Sequence, residues 1–324
     1  MKEWMKIGVL KRGLLVGLET TWTLGKIIFP ITILVTILGY TPILGYIATL
    51  LSPLLGVIGL PGEAAIPLVM GNLLNLFAGI GAILTLDLTV KEVFILATML
   101  SFSHNLLIES AVAKKVGIKI SVVLAVRIGL AIFSAFMINL LWQGGEQQAQ
   151  YGFFPSPEAE VVPVGWGGII WSGVESALMG IAQLALIVIP LMIVIQIMKE
   201  RQWLKVLSKW MSPFTKLIGI QANTSTTLAS GLVIGLAYGA GVMIQAVKED
   251  GVKKKDLYLV FIFLVACHAV VEDTVVFIPL GIPVWPLLLI RIVTAIILTM
   301  SVAYIWRYLE MKQNQGRKET RYEH

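Results

Sequence analysis

Two histidines, two acids and two arginines recur in this chain at a fixed offset of 164 residues, inside gapless copies at 93–132 and 257–296. The matched pairs are His104 with His268, Glu109 with Asp273, and Arg127 with Arg291. Such side chains can carry a proton, bind a metal ion or hold a polar solute. Ionisable groups are costly in hydrocarbon surroundings, so their duplication within apolar segments predicts a role beyond packing.

The composition places these residues in a membrane protein. Of the 324 residues, 57% are hydrophobic and only 14% are charged, too few to cover a soluble protein of this size with polar surface. Apolar stretches at 118–142, 181–198, 256–278 and 284–306 reach the ~20 residues that cross a bilayer. We therefore expect an all-α polytopic membrane protein without a separate soluble domain.

The positions of the loop charges predict how the two copies are oriented. The connector between them carries Glu146, Glu158 and Glu160 and no Lys or Arg, whereas basic residues cluster in the other loops and at both termini. Cytoplasmic loops collect Lys and Arg, so we expect the connector outside and both termini inside, in the cytoplasmic membrane of a prokaryote. Each half then crosses an odd number of times, which makes the copies an inverted-topology repeat. The expected parts are a basic N-terminus (1–12), repeat 1 (13–140), the connector (141–168), repeat 2 (169–306) and a basic tail (307–324).

Some segments do not fit a simple crossing. Residues 203–220 carry three lysines among apolar residues and indicate an amphipathic helix at the interface. The matched segments 61–84 and 221–247 are rich in Gly and small polar residues, and we interpret them as re-entrant or discontinuous helices shielded by protein. An alternative is that 42–60 also crosses, which gives ten spans with the same inverted symmetry.

The starts of the two re-entrant segments supply the first set of candidate substrate contacts. Free backbone N–H groups at a helix start attract anions, and unwound carbonyls attract cations. The alternative is that these small and polar residues only allow close helix packing. The candidates are Glu63, Asn72, Asn75, Thr224, Ser225 and Thr226.

The repeated histidines supply the second set. His268 and Glu272 are four residues apart and would share a helix face, as a proton relay or half of a metal site requires. His104 and Glu109 are five apart and would not share a face, so Asn105 could take that role. The alternative is that each histidine is a satisfied core residue. Two antiparallel hairpins would pair the acids with the arginines as structural clamps: Glu109 with Arg127, and Asp273 with Arg291.

Three stretches resemble the nucleoside-recognition or "Gate" family: GLPGEAAIPLVMGNLLN at 59–75, SHNLLIES at 103–110 and HAVVEDTVVFIPLGIP at 268–283. That family includes the paired spore-maturation membrane proteins, and related segments occur in concentrative nucleoside transporters and bacterial ferrous-iron transporters. The resemblance implies a helical fold with re-entrant gating elements and solute transport. Unlike the iron transporters, this chain has no P-loop.

The leading hypothesis is a transporter or channel for a small polar or anionic solute, nucleoside-like by analogy, bound between two inverted halves. His104, Asn105, His268 and Glu272 would contact the substrate or a coupling ion, which could be a proton, sodium or a divalent metal. One alternative is a divalent-metal permease with ligands Cys267, His268 and Glu272. Others are a lipid translocator and a non-transport scaffold. We expect no enzyme activity, no cofactor and no nucleic-acid partner; the expected partners are the lipid bilayer, the substrate, and a second copy or another membrane protein.

Overall fold

The computed structural model describes residues 2–152, 165–236 and 252–322, and helices dominate these ranges. In the first half they are α1 (Lys2–Gly39), α2 (Pro42–Gly56), α3 (Ala65–Leu73), α4 (Leu76–Ile83), α5 (Val90–Ser103), α6 (Leu106–Val116) and α7 (Ile120–Leu141). In the second half they are α8 (Gly165–Glu200), α9 (Trp203–Leu217), α10 (Ser225–Ile234), α11 (Lys254–Ala266), α12 (Glu272–Val275) and α13 (Val284–Tyr322). The predicted all-α membrane fold is confirmed.

Five stretches among the described residues are long and apolar enough to cross a bilayer. They are Gly8–Gly39, Val90–Val116, Ile120–Leu141, Gly165–Glu200 and Val284–Gln313. The segment from α11 to α12 corresponds to Val90–Val116; it is interrupted between Ala266 and Glu272, as Val90–Val116 is between Ser103 and Leu106. Counting this interrupted segment, each half has three crossings among its described residues, the odd number that the loop charges require.

The two longest helices of the halves, α1 and α8, pack side by side in opposite directions. A Cβ added to Gly13 would lie 2.7 Å from Ile193, and one added to Gly17 would lie 2.9 Å from Ile189. As the residue number increases along α1, the number of the contacted residue on α8 decreases, so the helices are antiparallel. Because α1 and α8 open their respective halves, the halves are inverted relative to each other, as predicted.

We expect Gly17→Ala to destabilise the protein by about 1–3 kcal/mol, because the new methyl group would meet the backbone of α8. Gly129→Ala in α7 is the matched control, since nothing lies within 4 Å of its added Cβ. Alanine at an open helical site should stabilise by about 0.5–1 kcal/mol. Unfolding of the two variants in detergent measures the difference, and equal stabilities would contradict the close contact.

The predicted re-entrant segment 61–84 forms a hairpin of two short helices, α3 and α4. Their nine and eight residues span about 12–14 Å each, less than half of the ~30 Å hydrocarbon core. Asn75 begins α4, where its Oδ1 accepts a hydrogen bond from the Ala78 N–H at 2.9 Å. In the second copy α10 matches α3, while residues 237–251, with Gly239 and Gly241 of the repeat, lie outside the described ranges.

Helices α2 and α9 occupy the segments 42–60 and 203–220, for which the sequence left two alternatives. Each has fifteen residues, about 22 Å, which is too short to cross the hydrocarbon core. In α9 the lysines are Lys205, Lys209 and Lys216. The lengths favour the interfacial interpretation for both helices over the ten-span alternative.

The described part of the connector runs across the end of the bundle, and residues 145–152 form what we call the strap. The Gln147 carbonyl of the strap accepts a hydrogen bond from the Val90 N–H of the first half at 2.9 Å. The Gly152 N–H of the strap donates to the Pro279 carbonyl of the second half at 2.7 Å. Tyr151 donates through its phenol to the Leu86 carbonyl at 2.9 Å, and burial raises the pKa of this phenol, so it keeps its proton. The strap therefore ties the two halves together at one end. Glu158 and Glu160 lie outside the described residues.

Candidate functional site

Both repeated histidines lie where a helix is interrupted. Helix α5 ends at Ser103, and Asn105 takes a left-handed backbone conformation with φ 57° before α6 begins. In the second half Ala269 has φ 40°. The N–H of Asn105 donates to the Gly71 carbonyl, and that of Ala269 to the Gly231 carbonyl, each at 3.0 Å. Helix α3 in the first half and α10 in the second thus accept hydrogen bonds from the backbone that each interruption frees.

The glycines at these contacts, Gly71 and Gly231, lie close to leucine side chains of the interrupted helices. A Cβ added to Gly71 would lie 2.4 Å from a methyl carbon of Leu100, and one added to Gly231 would lie 2.5 Å from Leu264. The leucine in each case precedes the histidine by four residues. The repeated glycines therefore let each hairpin approach its interrupted helix closely enough for the backbone hydrogen bond.

The rings of the two histidines have the same orientation relative to their helices. The Nδ1 of His104 lies 2.6 Å from the Leu100 carbonyl, and that of His268 lies 2.8 Å from the Leu264 carbonyl. A carbonyl only accepts, so Nδ1 carries the hydrogen in each ring, and Nε2 of the neutral ring is an acceptor. The ring centroids are 5.3 Å apart, so the two halves meet at this point.

Acids from both halves face these Nε2 atoms. Glu109 Oε1 lies 3.6 Å from His104 Nε2 and 3.3 Å from His268 Nε2. Asp273 Oδ2 lies 4.0 Å and 3.6 Å from the same two atoms. Each acid therefore contacts the histidine of the other half as well as its own. We call these four residues, with their two arginines, the seam cluster; all six are at most 6% exposed.

The arginines hold both the acids and the helix interruptions. Arg127 pairs with Glu109 and donates to the His104 carbonyl at 2.5 Å. Arg291 pairs with Asp273 at 3.0 Å and donates to the carbonyl of His268 at 2.8 Å. The two predicted ion pairs are thus present in the structure. With neutral histidines the two acids and two arginines cancel, so the seam cluster carries no net charge.

The structure corrects the two predictions that assumed regular helices around the histidines. His104 and Glu109 do meet, because the interruption at Asn105 changes the direction of the chain between them. His268 and Glu272 do not share a helix face, because α11 ends at Ala266 and α12 begins only at Glu272. The acids within 4.0 Å of His268 Nε2 are Glu109 and Asp273, and Glu272 is not one of them. Glu109 and Asp273 therefore contact the histidines as well as the arginines with which they were predicted to pair.

The predicted metal ligands change for the same reason. Among the described residues, the His, Cys and acidic groups spaced for a metal ion are His104, Glu109 and His268, with ligand atoms within 4.8 Å of one another. Of the alternative set Cys267, His268 and Glu272, only His268 belongs to this group. Cys267 is buried at the end of α11.

The other predicted contacts lie on the hairpins, and their hydrogen bonds are local. Thr224 donates to the Gln221 carbonyl at 2.7 Å, and the hydroxyls of Ser225 and Thr226 lie 3.1 Å and 2.9 Å from that of Ser208 on α9. Glu63 is half-buried in the turn before α3. Asn72 and Asn105 differ from these, because neither buried Oδ1 has a hydrogen-bond partner among the described residues.

Both halves of the chain match the same protein family. The family model described as "Gate: Nucleoside recognition" matches residues 21–119 and again residues 181–282. The chain belongs to the Gate family. It is also 62% identical, over 295 residues, to the "Uncharacterized membrane protein YvoD" of Bacillus subtilis (strain 168), a match that covers 91% of this chain and 94% of that protein. No solved structure matches the chain. The family and this relative make the chain a transporter-like membrane protein.

The two Gate segments contain only part of the seam cluster. Each matched segment contains one histidine and one acid of the seam cluster, and ends before the helix that carries the arginine. Arg127 on α7 and Arg291 on α13 therefore come from outside the Gate segments. The helix that follows each Gate segment supplies the arginine of the seam cluster.

Proposed function

We propose that this Gate protein is a membrane transporter that binds a small cation at the seam cluster. The observation that carries the proposal is the convergence of four acceptor atoms: the Nε2 atoms of two neutral histidines and one carboxylate oxygen each from Glu109 and Asp273. Each histidine nitrogen lies 3.3–4.0 Å from both carboxylate oxygens. Such pairs of acceptors repel unless a positive species lies between them. A cation is the species that satisfies all four together.

The location of the cluster supports transport. Each inverted half supplies one histidine and one acid, so the bound ion would lie at the boundary between two bodies of equivalent structure. Inverted-repeat transporters bind at such a boundary and rock one half against the other to open the site to each side in turn. The strap would close one side, because it joins 86–91 of the first half to 279–281 of the second. Exchange on that side would require the strap to detach from one of them.

Ion flux into proteoliposomes tests the proposal, with protons, sodium and divalent cations supplied separately. We expect at least one of these cations to be taken up, and His104→Ala and His268→Ala each to reduce that uptake about 10- to 100-fold or more. The third histidine of the chain, His324, provides the control, since His324→Ala should transport like the unmodified protein. Uptake that survives in folded His104→Ala and His268→Ala proteins would reject the seam cluster as the site.

A small polar solute, nucleoside-like by family, is the second candidate. It is favoured by the unpaired amide oxygens of Asn72 and Asn105, which lie on adjoining segments joined by the hydrogen bond from Asn105 to Gly71. The corresponding second-half residues, Leu232 and Ala269, have no side-chain polar group. Solute uptake lost in Asn72→Ala, with cation binding intact, would identify this solute site.

A further inference from the structure

Building on the cation site just proposed, we infer that the seam cluster is a binding site for a divalent first-row transition metal ion. His104 Nε2, His268 Nε2 and Glu109 Oε1 are the three ligands, and Asp273 Oδ2 lies 3.6 Å from His268 Nε2. Two of the three histidines in the chain meet at this one point, from different halves. The sequence does not bring these residues together, since 164 positions separate the histidines.

The spacing of the acceptors distinguishes a metal from a proton. A proton shared between an imidazole and a carboxylate draws nitrogen and oxygen to about 2.7–2.9 Å. Ligands about 2.0–2.1 Å from a tetrahedral metal lie about 3.3–3.4 Å from one another. The nitrogen–oxygen distances here are 3.3, 3.6, 3.6 and 4.0 Å. The first equals the metal spacing, the next two are slightly wider, and all four exceed the proton spacing.

The histidines are also oriented as metal ligands usually are. A ligating histidine donates its second ring N–H to a carbonyl or carboxylate, which fixes the tautomer and directs the other nitrogen at the metal. Both Nδ1 atoms here lie against backbone carbonyls, at 2.6 Å and 2.8 Å. Two imidazoles and a carboxylate favour zinc, ferrous iron, cobalt or nickel over magnesium and calcium, which prefer all-oxygen sites.

The arginines set how tightly the ion is held. Arg127 takes the other oxygen of Glu109, Oε2, and leaves Oε1 directed at the histidines. Arg291 shares the same oxygen of Asp273 that faces the histidines, so Asp273 is the weaker ligand. Each arginine offsets the charge of an acid, which lowers the affinity for a divalent ion. An ion that has to be released after crossing needs such moderate affinity.

Metal titration of the purified full-length protein in detergent tests the inference, with Zn²⁺ as probe and Co²⁺ to report ligand geometry by its visible spectrum. We expect one ion per chain, retained in excess Mg²⁺. His104→Ala, His268→Ala and Glu109→Gln should each weaken binding about 10- to 100-fold. His324→Ala and Cys267→Ser should bind as the unmodified protein does. Circular dichroism and size-exclusion profiles identify which variants remain folded.

The outcomes separate this inference from the proposed function. No stoichiometric Zn²⁺ or Co²⁺ binding by a protein that transports protons or sodium would overturn the metal site and leave the cation transporter standing. Stoichiometric binding lost on removing the histidines, without flux of any cation, would support the metal site and reject transport. Binding unaffected in folded His104→Ala and His268→Ala, or lost in Cys267→Ser, would overturn the assigned ligands.

Discussion

Arg127→Gln is expected to lower the free energy of unfolding by about 3–5 kcal/mol, because it leaves the buried Glu109 carboxylate without its partner. The side chain of Arg127 is fully buried, and its loss also removes the donor to the His104 carbonyl at the helix interruption. A buried charge that loses its pair cannot recover hydration in the interior. Denaturation in mixed detergent micelles measures the change.

Two further variants show whether the ion pair is the cause. Glu109→Gln combined with Arg127→Gln removes both charges, so it should recover part of the lost stability. Arg201→Gln, at an exposed site after α8, should change stability by less than about 0.5 kcal/mol. If the double variant were as unstable as Arg127→Gln, the loss would come from the missing backbone donor and not from the unpaired acid.

Gly281→Ala is expected to destabilise the protein by about 2–5 kcal/mol in total. Gly281 has φ 68°, a conformation that costs an L-residue about 1–2 kcal/mol, and its added Cβ would lie 2.3 Å from the Gln150 carbonyl of the strap. Moving the strap backbone to remove that overlap adds about 1–3 kcal/mol. Thermal unfolding in detergent measures the effect, and proteolysis around 145–152 reports whether the strap has detached.

The repeat supplies an unusually well-matched control for this change. Gly117 occupies the equivalent turn of the first half, with φ 89°, and nothing lies within 4 Å of its added Cβ. Gly117→Ala should therefore show only the cost of backbone strain. Similar losses in the two variants would mean that the strap adapts freely, and would contradict its assignment as a closure.

The architecture could be predicted from the sequence because it depends on charge placement and on matched residues. The 114–119 turn, the lysines of α9 and the acidic connector fix the number of crossings as odd, and an odd number is sufficient for inverted halves. The Gly-rich composition of 61–84 correctly predicted a re-entrant hairpin there. The strap could not be predicted, because it is held mainly by backbone hydrogen bonds that leave little trace in side-chain pattern.

The site was predicted only in part. The repeat identified the right residue types at His104, Glu109, Asp273 and Arg127, and hairpin geometry paired the acids with the arginines. The helix interruptions could not be predicted from the sequence. A non-glycine residue such as Asn105 is not expected to take a left-handed conformation within an apolar helix. Contacts between Glu109 and His268 join different halves, and a single sequence contains no signal for them.

The equivalence of the two halves has a consequence for the direction of the proposed transport. One histidine and one acid come from each inverted half, so an ion reaching the seam cluster from either face of the membrane would find nearly the same ligands. Features without a counterpart in the other half, such as the strap at one end and Asn105 opposite Ala269, make the two approaches unequal. In the transporter proposed above, the ligands themselves would give little preference for import or export. The concentration gradients on the two sides would decide which way it runs, and reversing them should reverse the flow.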